Sequence, residues 1–209
     1  MTTDELIVEG LVTSLNADGS ANLSPMGPRT DRAITRMVLR PFQTSQTYQN
    51  LRRHGEGVFH ITDDVELIAQ AAIGRLYQMP PLLAAPSIRG FIVADACRWF
   101  AFRVRELDDR TERTTIVCDV VDRGTLRDFL GFNRAQHAVL EGAILATRIG
   151  ILPAEQIRDE MQRLAIPIEK TAGEQERRAF ALLCEYIAAK LNLVGSVGAS
   201  PSRTLNPEP

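Results

Sequence analysis

The sequence lacks several features that would assign a function directly. It has 24 Lys and Arg residues against 26 Asp and Glu, so its formal net charge is −2 and no basic excess indicates nucleic-acid binding. No run approaches the ~18 apolar residues of a transmembrane helix, so no membrane span is expected. The N-terminal residues are acidic and lack a long apolar stretch, which predicts a cytoplasmic protein without a signal peptide.

Cysteine is scarce, and nucleotide and catalytic signatures are missing. The three cysteines, Cys97, Cys118 and Cys184, lie far apart and are odd in number, so we expect free thiols rather than disulfides or a metal site. His54 fits a helix end, and His60 lacks well-spaced partner ligands, so no metal is predicted. The glycine-rich dinucleotide fingerprint, the P-loop and a supported Ser–His–Asp arrangement do not occur.

What is present is a composition that is typical of a packed globular protein, with 44% hydrophobic and 24% charged residues in 209 positions. Apolar, β-branched and alternating patterns predict strands over 6–16, 21–27, 33–40, 56–61, 94–107 and 112–122. Asp18-Gly19 in the turn 17–20 is expected to supply the left-handed positions of a hairpin. The Pro-rich stretch 78–90 is expected to be an irregular loop.

Helices are predicted where capping signals precede amphipathic patterns. One begins at Thr44 or Ser45, capped by Ser45 or Thr47, and ends at Gly55. Start and stop signals predict four further helices. One spans 65–77 after an acidic cap, and one spans 133–149 and is closed by Gly150. The other two begin at Pro153 and at a Thr171–Glu174 capping box.

This order of elements favours a mainly β protein with helices (α+β), because no regular strand–helix–strand alternation appears. We expect a β-barrel over 1–124 and a helical segment packed on it over 125–192. A Gly/Ser/Pro tail over 193–209 is expected to be disordered.

The return strand "ANLSPMG" is unusual for a strand that only packs. Asn22, Ser24 and Met26 share one face by the twofold period, and Pro25 and Gly27 interrupt the pattern. This polar face could lie beside a flat heteroaromatic ring. The alternative is a solvent-facing side of an antiparallel strand.

A candidate anion site follows in the chain. Arg40 ends the third predicted strand, and Ser45, Thr47 and Tyr48 begin the next helix. Hydroxyls and free N–H groups at a helix N-terminus, together with an Arg, suit a phosphate group. Plain helix capping is the alternative explanation of Ser45 and Thr47.

Two blocks, "VTSLNADGSANLSPMG" and "LRPFQTSQTYQNLRRHGEGVFHITDD", resemble the FMN-binding split-barrel superfamily. That superfamily includes pyridoxamine-phosphate-oxidase-like proteins and flavoredoxin-like flavin reductases. The chain is most similar to an uncharacterised archaeal and bacterial branch that shares these blocks and a helix like "GFNRAQHAVLEGAILATR". The resemblance covers roughly residues 5–150.

The resemblance implies a six-stranded split barrel that forms a homodimer with FMN at the interface. It also implies a role for each matching position. Along the flavin ring it places Asn22, Ser24, Pro25, Met26 and Gly27. Near the phosphate it places Arg40, Ser45 and Thr47, with Phe42 and Tyr48 as packing residues. The "KDT" of flavoredoxin-like relatives is replaced by "SQTYQN", so the phosphate-binding Lys has no counterpart.

The predicted helix from 133 carries Arg134, His137, Glu141, Leu145 and Arg148 in a narrow arc, while the rest of its surface is apolar. Three explanations stand: a solvated face, a buried structural or dimer-interface network, or a ligand role for Arg134 and His137. His137 and Glu141, one turn apart, are spaced for an ion pair. We treat Arg134, His137 and Glu141 as ligand or interface candidates.

Three functions fit these patterns. The first is an FMN-dependent oxidoreductase of unknown substrate, in which the cofactor supplies the redox chemistry. The second is a non-catalytic flavin- or nucleotide-binding module, for which the loop 78–90 could form a lid. The third is an interaction protein with a vestigial site. Flavin binding would distinguish the interaction protein from the other two functions. Reduction of the bound flavin by a nicotinamide donor would distinguish the oxidoreductase from the binding module.

Overall fold

The computed structural model describes residues 5–197, and the predicted disordered tail lies mostly outside this range. Within this range, ten strands and five helices alternate irregularly. The strands are β1 (Leu6–Ile7), β2 (Gly10–Leu15), β3 (Ala21–Met26), β4 (Arg29–Thr30), β5 (Arg36–Leu39), β6 (Glu56–Ile61), β7 (Leu82–Ala84), β8 (Phe91–Val93), β9 (Arg98–Asp108) and β10 (Thr115–Thr125). The helices are α1 (Gln46–His54), α2 (Val65–Ala72), α3 (Arg134–Thr147), α4 (Ala154–Thr171) and α5 (Glu174–Val197).

Eight strands form one antiparallel sheet in the order β1-β4-β5-β10-β9-β6-β2-β3, and it curls into a half-barrel. β1 and β4 contain only two residues each, so six longer strands carry the barrel. The core inside the curl contains Tyr48, Phe59, Phe100 and Phe102. The predicted fold class, an α+β split barrel with C-terminal helices, is confirmed.

The C-terminal helices share a core with α2. Val65, Ala69 and Ile73 of the α2 region pack with Val139 of α3 and Leu183 of α5. The helical segment is therefore attached to the barrel through α2, which follows β6 directly. The predicted domain boundary at residue 124 stays a prediction.

Several predicted strand boundaries are wrong for identifiable reasons. The strand predicted over 6–16 breaks after Ile7, where Val8 N donates to Pro28 O at 3.2 Å. The strand predicted over 33–40 begins only at Arg36, because the Asp31 carboxylate accepts hydrogen bonds from Thr35 and forms a turn. Strands β9 and β10 each begin and end later than predicted.

Turns and loops also differ from the predictions. Gly19 has a φ of 86°, whereas Asp18 does not adopt a left-handed conformation. The stretch 78–90 contains β7, which pairs with β8 in a small second sheet and so is only partly irregular.

Helix ends differ from the predictions as well. α2 ends at Ala72 rather than residue 77, and α3 ends at Thr147 rather than at Gly150. The predicted capping box is displaced by two residues: Gly173 N donates to Glu176 Oε2 at 2.9 Å. α5 extends to Val197, so the predicted tail begins later than residue 193.

His60 on β6 joins three strands from a fully buried position. Val93 N donates to His60 Nε2 at 3.1 Å, so the ring proton resides on Nδ1, which donates to Leu11 O at 3.2 Å. Burial lowers the pKa of His60 to about 4, since a charged ring would lose its solvation there. Both ring nitrogens of His60 are therefore engaged in hydrogen bonds within the protein.

We predict that His60 makes the protein acid-sensitive. Between its unfolded pKa near ~6.5 and its folded pKa of about 4, only the unfolded state takes up the proton, so stability is lost as the pH falls through this window. Urea unfolding should show an excess loss of about 3 kcal/mol between about pH 7 and about pH 4 in the wild type relative to His60→Gln. Parallel pH profiles for the two proteins would contradict this assignment.

Candidate functional site

Strand β3 lies at one edge of the large sheet and pairs only with β2. Its two faces differ. Leu23 packs with Ile68 of α2 in one apolar cluster, while Met26 on the other face packs against the barrel core. Ser24 lies opposite Val12, a barrel-core residue. The solvent-face alternative for Asn22, Ser24 and Met26 is therefore wrong, because the three are half-buried on the barrel-core face.

Pro25 is tolerated in β3 because an edge strand has one side without a neighbour. It pairs in register with Leu11, and beyond it Met26 pairs with Gly10. Ser24 Oγ contacts only Pro25 O, at 3.5 Å, among the described residues. The hydroxyl is thus free for another partner.

The first turn of α1 has the predicted cap. Ser45 Oγ accepts a hydrogen bond from Tyr48 N at 3.2 Å and donates to Phe42 O at 2.7 Å. Ser45 is therefore the cap, and Thr47 lies inside the helix. The backbone N–H groups of Gln46 and Thr47 make no hydrogen bond within residues 5–197. These two groups remain available to an anion at the positive end of the helix dipole.

A direct contact joins the strand to this helix. Asn22 Nδ2 donates to Thr47 Oγ1 at 3.2 Å and to Ser14 Oγ at 3.3 Å. The Asn22 amide oxygen has no hydrogen-bond partner among residues 5–197, and no described side-chain polar atom is both buried and unpaired, so this oxygen is accessible. The two sequence blocks predicted to hold opposite ends of a ligand thus meet at one contact.

Two buried residues that the sequence analysis missed support this contact. Asn50 Nδ2 donates to Ser14 Oγ at 3.0 Å and to Asn16 Oδ1 at 2.9 Å. Ser14 and Asn50 are 3% and 1% exposed, so the network is fixed inside the protein. Ser14 lies in an ordinary strand pattern and Asn50 in the helix interior, and neither position carries a distinctive sequence signal.

The remaining predicted phosphate and packing residues lie around the loop before α1. Arg40 is exposed, and within residues 5–197 its side chain makes no polar contact. Phe42 is 45% exposed. Tyr48 is buried in the barrel core and its hydroxyl donates to Asp109 Oδ2 at 2.7 Å, which raises the pKa of Tyr48.

The hairpin between β9 and β10 holds this loop in place, which the sequence analysis also missed. Gln43 Nε2 donates to Asp109 O at 2.6 Å and to Thr111 O at 2.9 Å. Thr114 N and Oγ1 both donate to Pro41 O, at 2.9 and 2.8 Å. These contacts join residues 66 to 73 positions apart in the chain, and no local sequence pattern predicts them.

At the other end of β3, a carboxylate lies against Gly27. A Cβ at Gly27 would stand 2.7 Å from Glu9 Oε1, so the Glu9 carboxylate occupies the space that a side chain would fill. Burial, and to a lesser degree the negative charge of Glu141, raises the pKa of Glu9. Glu141 of α3 therefore lies near the Gly27 end of the strand.

The polar arc of α3 is exposed on this protomer. Arg134, His137, Glu141 and Arg148 are exposed, whereas Leu145 is buried. His137 stacks on Phe132, with ring centroids 6.2 Å apart, and no ion pair joins His137 to Glu141 in the described part of the chain. A network buried within one chain is excluded, and the ligand or interface role stays a prediction.

Family models match most of the chain. The N-terminal domain model of DUF447, a protein family of unknown function, matches residues 8–127, and the DUF447 C-terminal model matches residues 133–185. The chain belongs to the DUF447 family. No functionally curated protein matches it.

Solved structures show the fold of this DUF447 protein. A Methanosarcina mazei protein of the same family, described as FMN-bound, is 20% identical with a TM-score of 0.72, over 86% of this chain and 94% of its own. A flavoredoxin from Methanosarcina acetivorans is 12% identical with a TM-score of 0.49, over 57% and 68%. The family models and the Methanosarcina mazei structure together confirm the resemblance to a split-barrel branch of unknown function.

Three further features of the DUF447 chain, its metal-binding groups, cysteines and helix hydropathy, refer to the described residues. There, no group of three His, Cys, Asp or Glu side chains is arranged to hold a metal. All three cysteines are free; Cys97 and Cys118 are buried and Cys184 is exposed. No described helix is long and apolar enough to cross a membrane, and a cytoplasmic location stays a prediction.

We predict that Asn50→Ala destabilises the protein, because it leaves the buried Ser14 hydroxyl without its strongest partner. The free energy of unfolding should fall by about 1–3 kcal/mol in urea titrations. Gln49→Ala, an exposed amide on the same helix, serves as the control and should change stability by less than about 0.5 kcal/mol. Equal effects of the two substitutions would show that the network contributes no stability.

Proposed function

We propose that this chain binds FMN and acts as an FMN-dependent oxidoreductase. The isoalloxazine ring would lie along Asn22, Ser24, Pro25, Met26 and Gly27. The phosphate would lie at the first turn of α1, near Arg40, Ser45 and Thr47. The substrate and the electron donor would be small molecules or redox partners.

One observation carries this proposal: the Asn22–Thr47 hydrogen bond of 3.2 Å joins the polar edge strand to the helix N-terminus. A ligand with a flat ring at one end and an anion at the other would contact both elements at once. The same-family protein of matching fold that is described as FMN-bound supports FMN as that ligand.

The residues present fit FMN chemically. Three groups suit a phosphate dianion: the N–H groups of Gln46 and Thr47 and the guanidinium of Arg40, none of which has a partner in the described part of the chain. The accessible amide oxygen of Asn22 suits a ring N–H donor, and Pro25 and Met26 offer apolar surface. Ser45 is less available than the sequence suggested, because its hydroxyl is engaged in capping.

Bound FMN would supply the hydride or electron chemistry, and the protein would orient the ring and limit the access of water. Because the cofactor would carry out the chemistry, no protein nucleophile is required, which agrees with the lack of a nucleophile signature in the sequence. The side chains beside the ring, chiefly Ser24, would position the second substrate.

We also propose a homodimer with the flavin at the interface. Phe132 is 98% exposed, Leu130 76% and Phe129 46%, in one segment directly before α3. Large apolar side chains with this exposure are typical of an interaction surface. Arg134 and His137 follow this segment and would then lie at the interface.

We predict that the purified protein binds FMN with a Kd below about 100 μM, or about −5.5 kcal/mol. The oxidised flavin should give a visible absorbance that stays with the protein after desalting. Titration followed by flavin absorbance or fluorescence measures the affinity. Failure to bind FMN at this level would reject both the catalytic and the non-catalytic flavin functions and would favour an interaction protein.

We further predict that bound FMN is bleached by NADH or NADPH in anaerobic stopped-flow experiments, because a nicotinamide donor has to reach the ring of a working oxidoreductase. Free FMN with the same donor is the control for uncatalysed reduction. Bleaching no faster than in this control, with either donor, would count against an NAD(P)H-dependent oxidoreductase and in favour of a binding module.

A further inference from the structure

Arg113, at the tip of the β9–β10 hairpin, is held on the loop that precedes α1. Its Nε donates to Arg40 O at 3.2 Å. Its guanidinium carbon lies 5.1 Å from the centroid of the Phe42 ring, a cation–π contact. Arg113 and Phe42 also form an isolated antiparallel β-bridge, so backbone and side chain are fixed together.

The terminal nitrogens of Arg113 remain free. Within residues 5–197, neither Nη1 nor Nη2 of Arg113 has a hydrogen-bond or ion-pair partner. A guanidinium whose Nε and face are already engaged loses little further freedom when its two terminal nitrogens bind an anion. Arg113 is thus a preorganised donor for a bidentate contact with phosphate.

Other cations near this loop are arranged differently. Arg110, on the same hairpin tip, pairs with Asp108 through two hydrogen bonds of 2.9 and 2.6 Å. Arg52 donates to Tyr48 Oη at 3.2 Å. The Arg40 guanidinium has no polar partner among residues 5–197, so no described contact fixes its position.

The position of Arg113 points to the phosphate end of the ligand. Its anchor residues, Arg40 and Phe42, belong to the loop that ends at the Ser45 cap, and Phe42 O accepts both the Ser45 N–H and the Ser45 hydroxyl. Gln43 N also donates to Glu112 O at 2.9 Å, so the hairpin tip lies directly against this loop. Gln46 and Thr47 follow Ser45 directly in the chain, and their backbone N–H groups have no partner among residues 5–197.

We propose that Arg113 is a specificity-determining residue that selects FMN over riboflavin by donating both terminal nitrogens to the phosphate. This inference rests on the proposed function and adds to it a residue from the β9–β10 hairpin, which lies outside both sequence blocks. Arg40, the Arg that the sequence resemblance places near the phosphate, would then contribute less to phosphate binding than Arg113.

The test compares Arg113→Ala with Arg110→Ala, a matched loss of one exposed cation from the same hairpin. FMN and riboflavin are titrated against the wild type and both variants. We expect Arg113→Ala to weaken FMN about ten- to hundredfold, as the loss of hydrogen bonds to a charged group does, and to change riboflavin affinity less than about twofold. Arg110→Ala should change neither affinity. Arg40→Ala should show the same selectivity with a smaller loss.

Arg113→Lys distinguishes charge from geometry. A Lys at this position keeps the positive charge but loses the fork and the Nε contact, so FMN affinity should lie between those of the wild type and Arg113→Ala. Equal losses of FMN and riboflavin in Arg113→Ala would mean that Arg113 only supports the loop. Unchanged FMN affinity would overturn the proposal outright.

A flavin-independent probe separates this inference from the proposed function. Inorganic phosphate, compared with sodium chloride at matched ionic strength, should raise the Tm of the wild type more than that of Arg113→Ala, because only the general salt effect remains in the variant. A wild type that binds no FMN but shows this Arg113-dependent phosphate effect would reject the proposed function and keep the anion site. Identical phosphate responses in wild type and variant would reject the anion site.

Discussion

The hydrogen bond between Asn22 and Thr47 sets the geometry on which the proposed site depends. An edge strand and a helix N-terminus, each with unused donors or acceptors, are placed side by side by this contact and by the Ser14–Asn50 pair beneath it. Met26 packs on the barrel core and Leu23 packs against Ile68 of α2, so the strand keeps its orientation while Asn22 and Ser24 stay partly exposed. The first turn of α1 therefore keeps a fixed position relative to the strand.

A second constraint holds the C-terminal helices against the barrel. Arg127 Nη1 donates to Asp63 Oδ2 at 3.1 Å, and Leu130 N donates to the same oxygen at 2.9 Å. The guanidinium lowers the pKa of Asp63, which lies at the junction of β6 and α2. Because this pair fixes the segment before α3, it also determines where the exposed apolar side chains around Phe132 are presented. The Asp63 carboxylate, at the end of a barrel strand, therefore holds the segment that leads into α3 and carries the proposed interface.

Local chemistry made the capping residues and the polar strand predictable. Ser45, Gly55 and Asp64 act as caps, as their residue types indicate, and the alternation of Asn22, Ser24 and Met26 gave the correct shared face. The Asp31–Thr35 turn shortened a strand, since a side-chain hydrogen bond competed with an apolar pattern. Asn50 and Arg113 were beyond prediction, because their roles arise from partners far away in the chain.

The central claim is that strand β3 and the first turn of α1 bind opposite ends of one flavin. Backbone amide NMR shifts of the full chain, titrated with FMN and then with riboflavin, test it most directly. FMN should perturb the amides of Asn22, Leu23, Ser24 and Met26 in β3 and also those of Gln46 and Thr47, whereas riboflavin should perturb the strand amides and leave the two helix amides nearly unchanged. Perturbation of only one element by FMN, or the same pattern for both flavins, would contradict it.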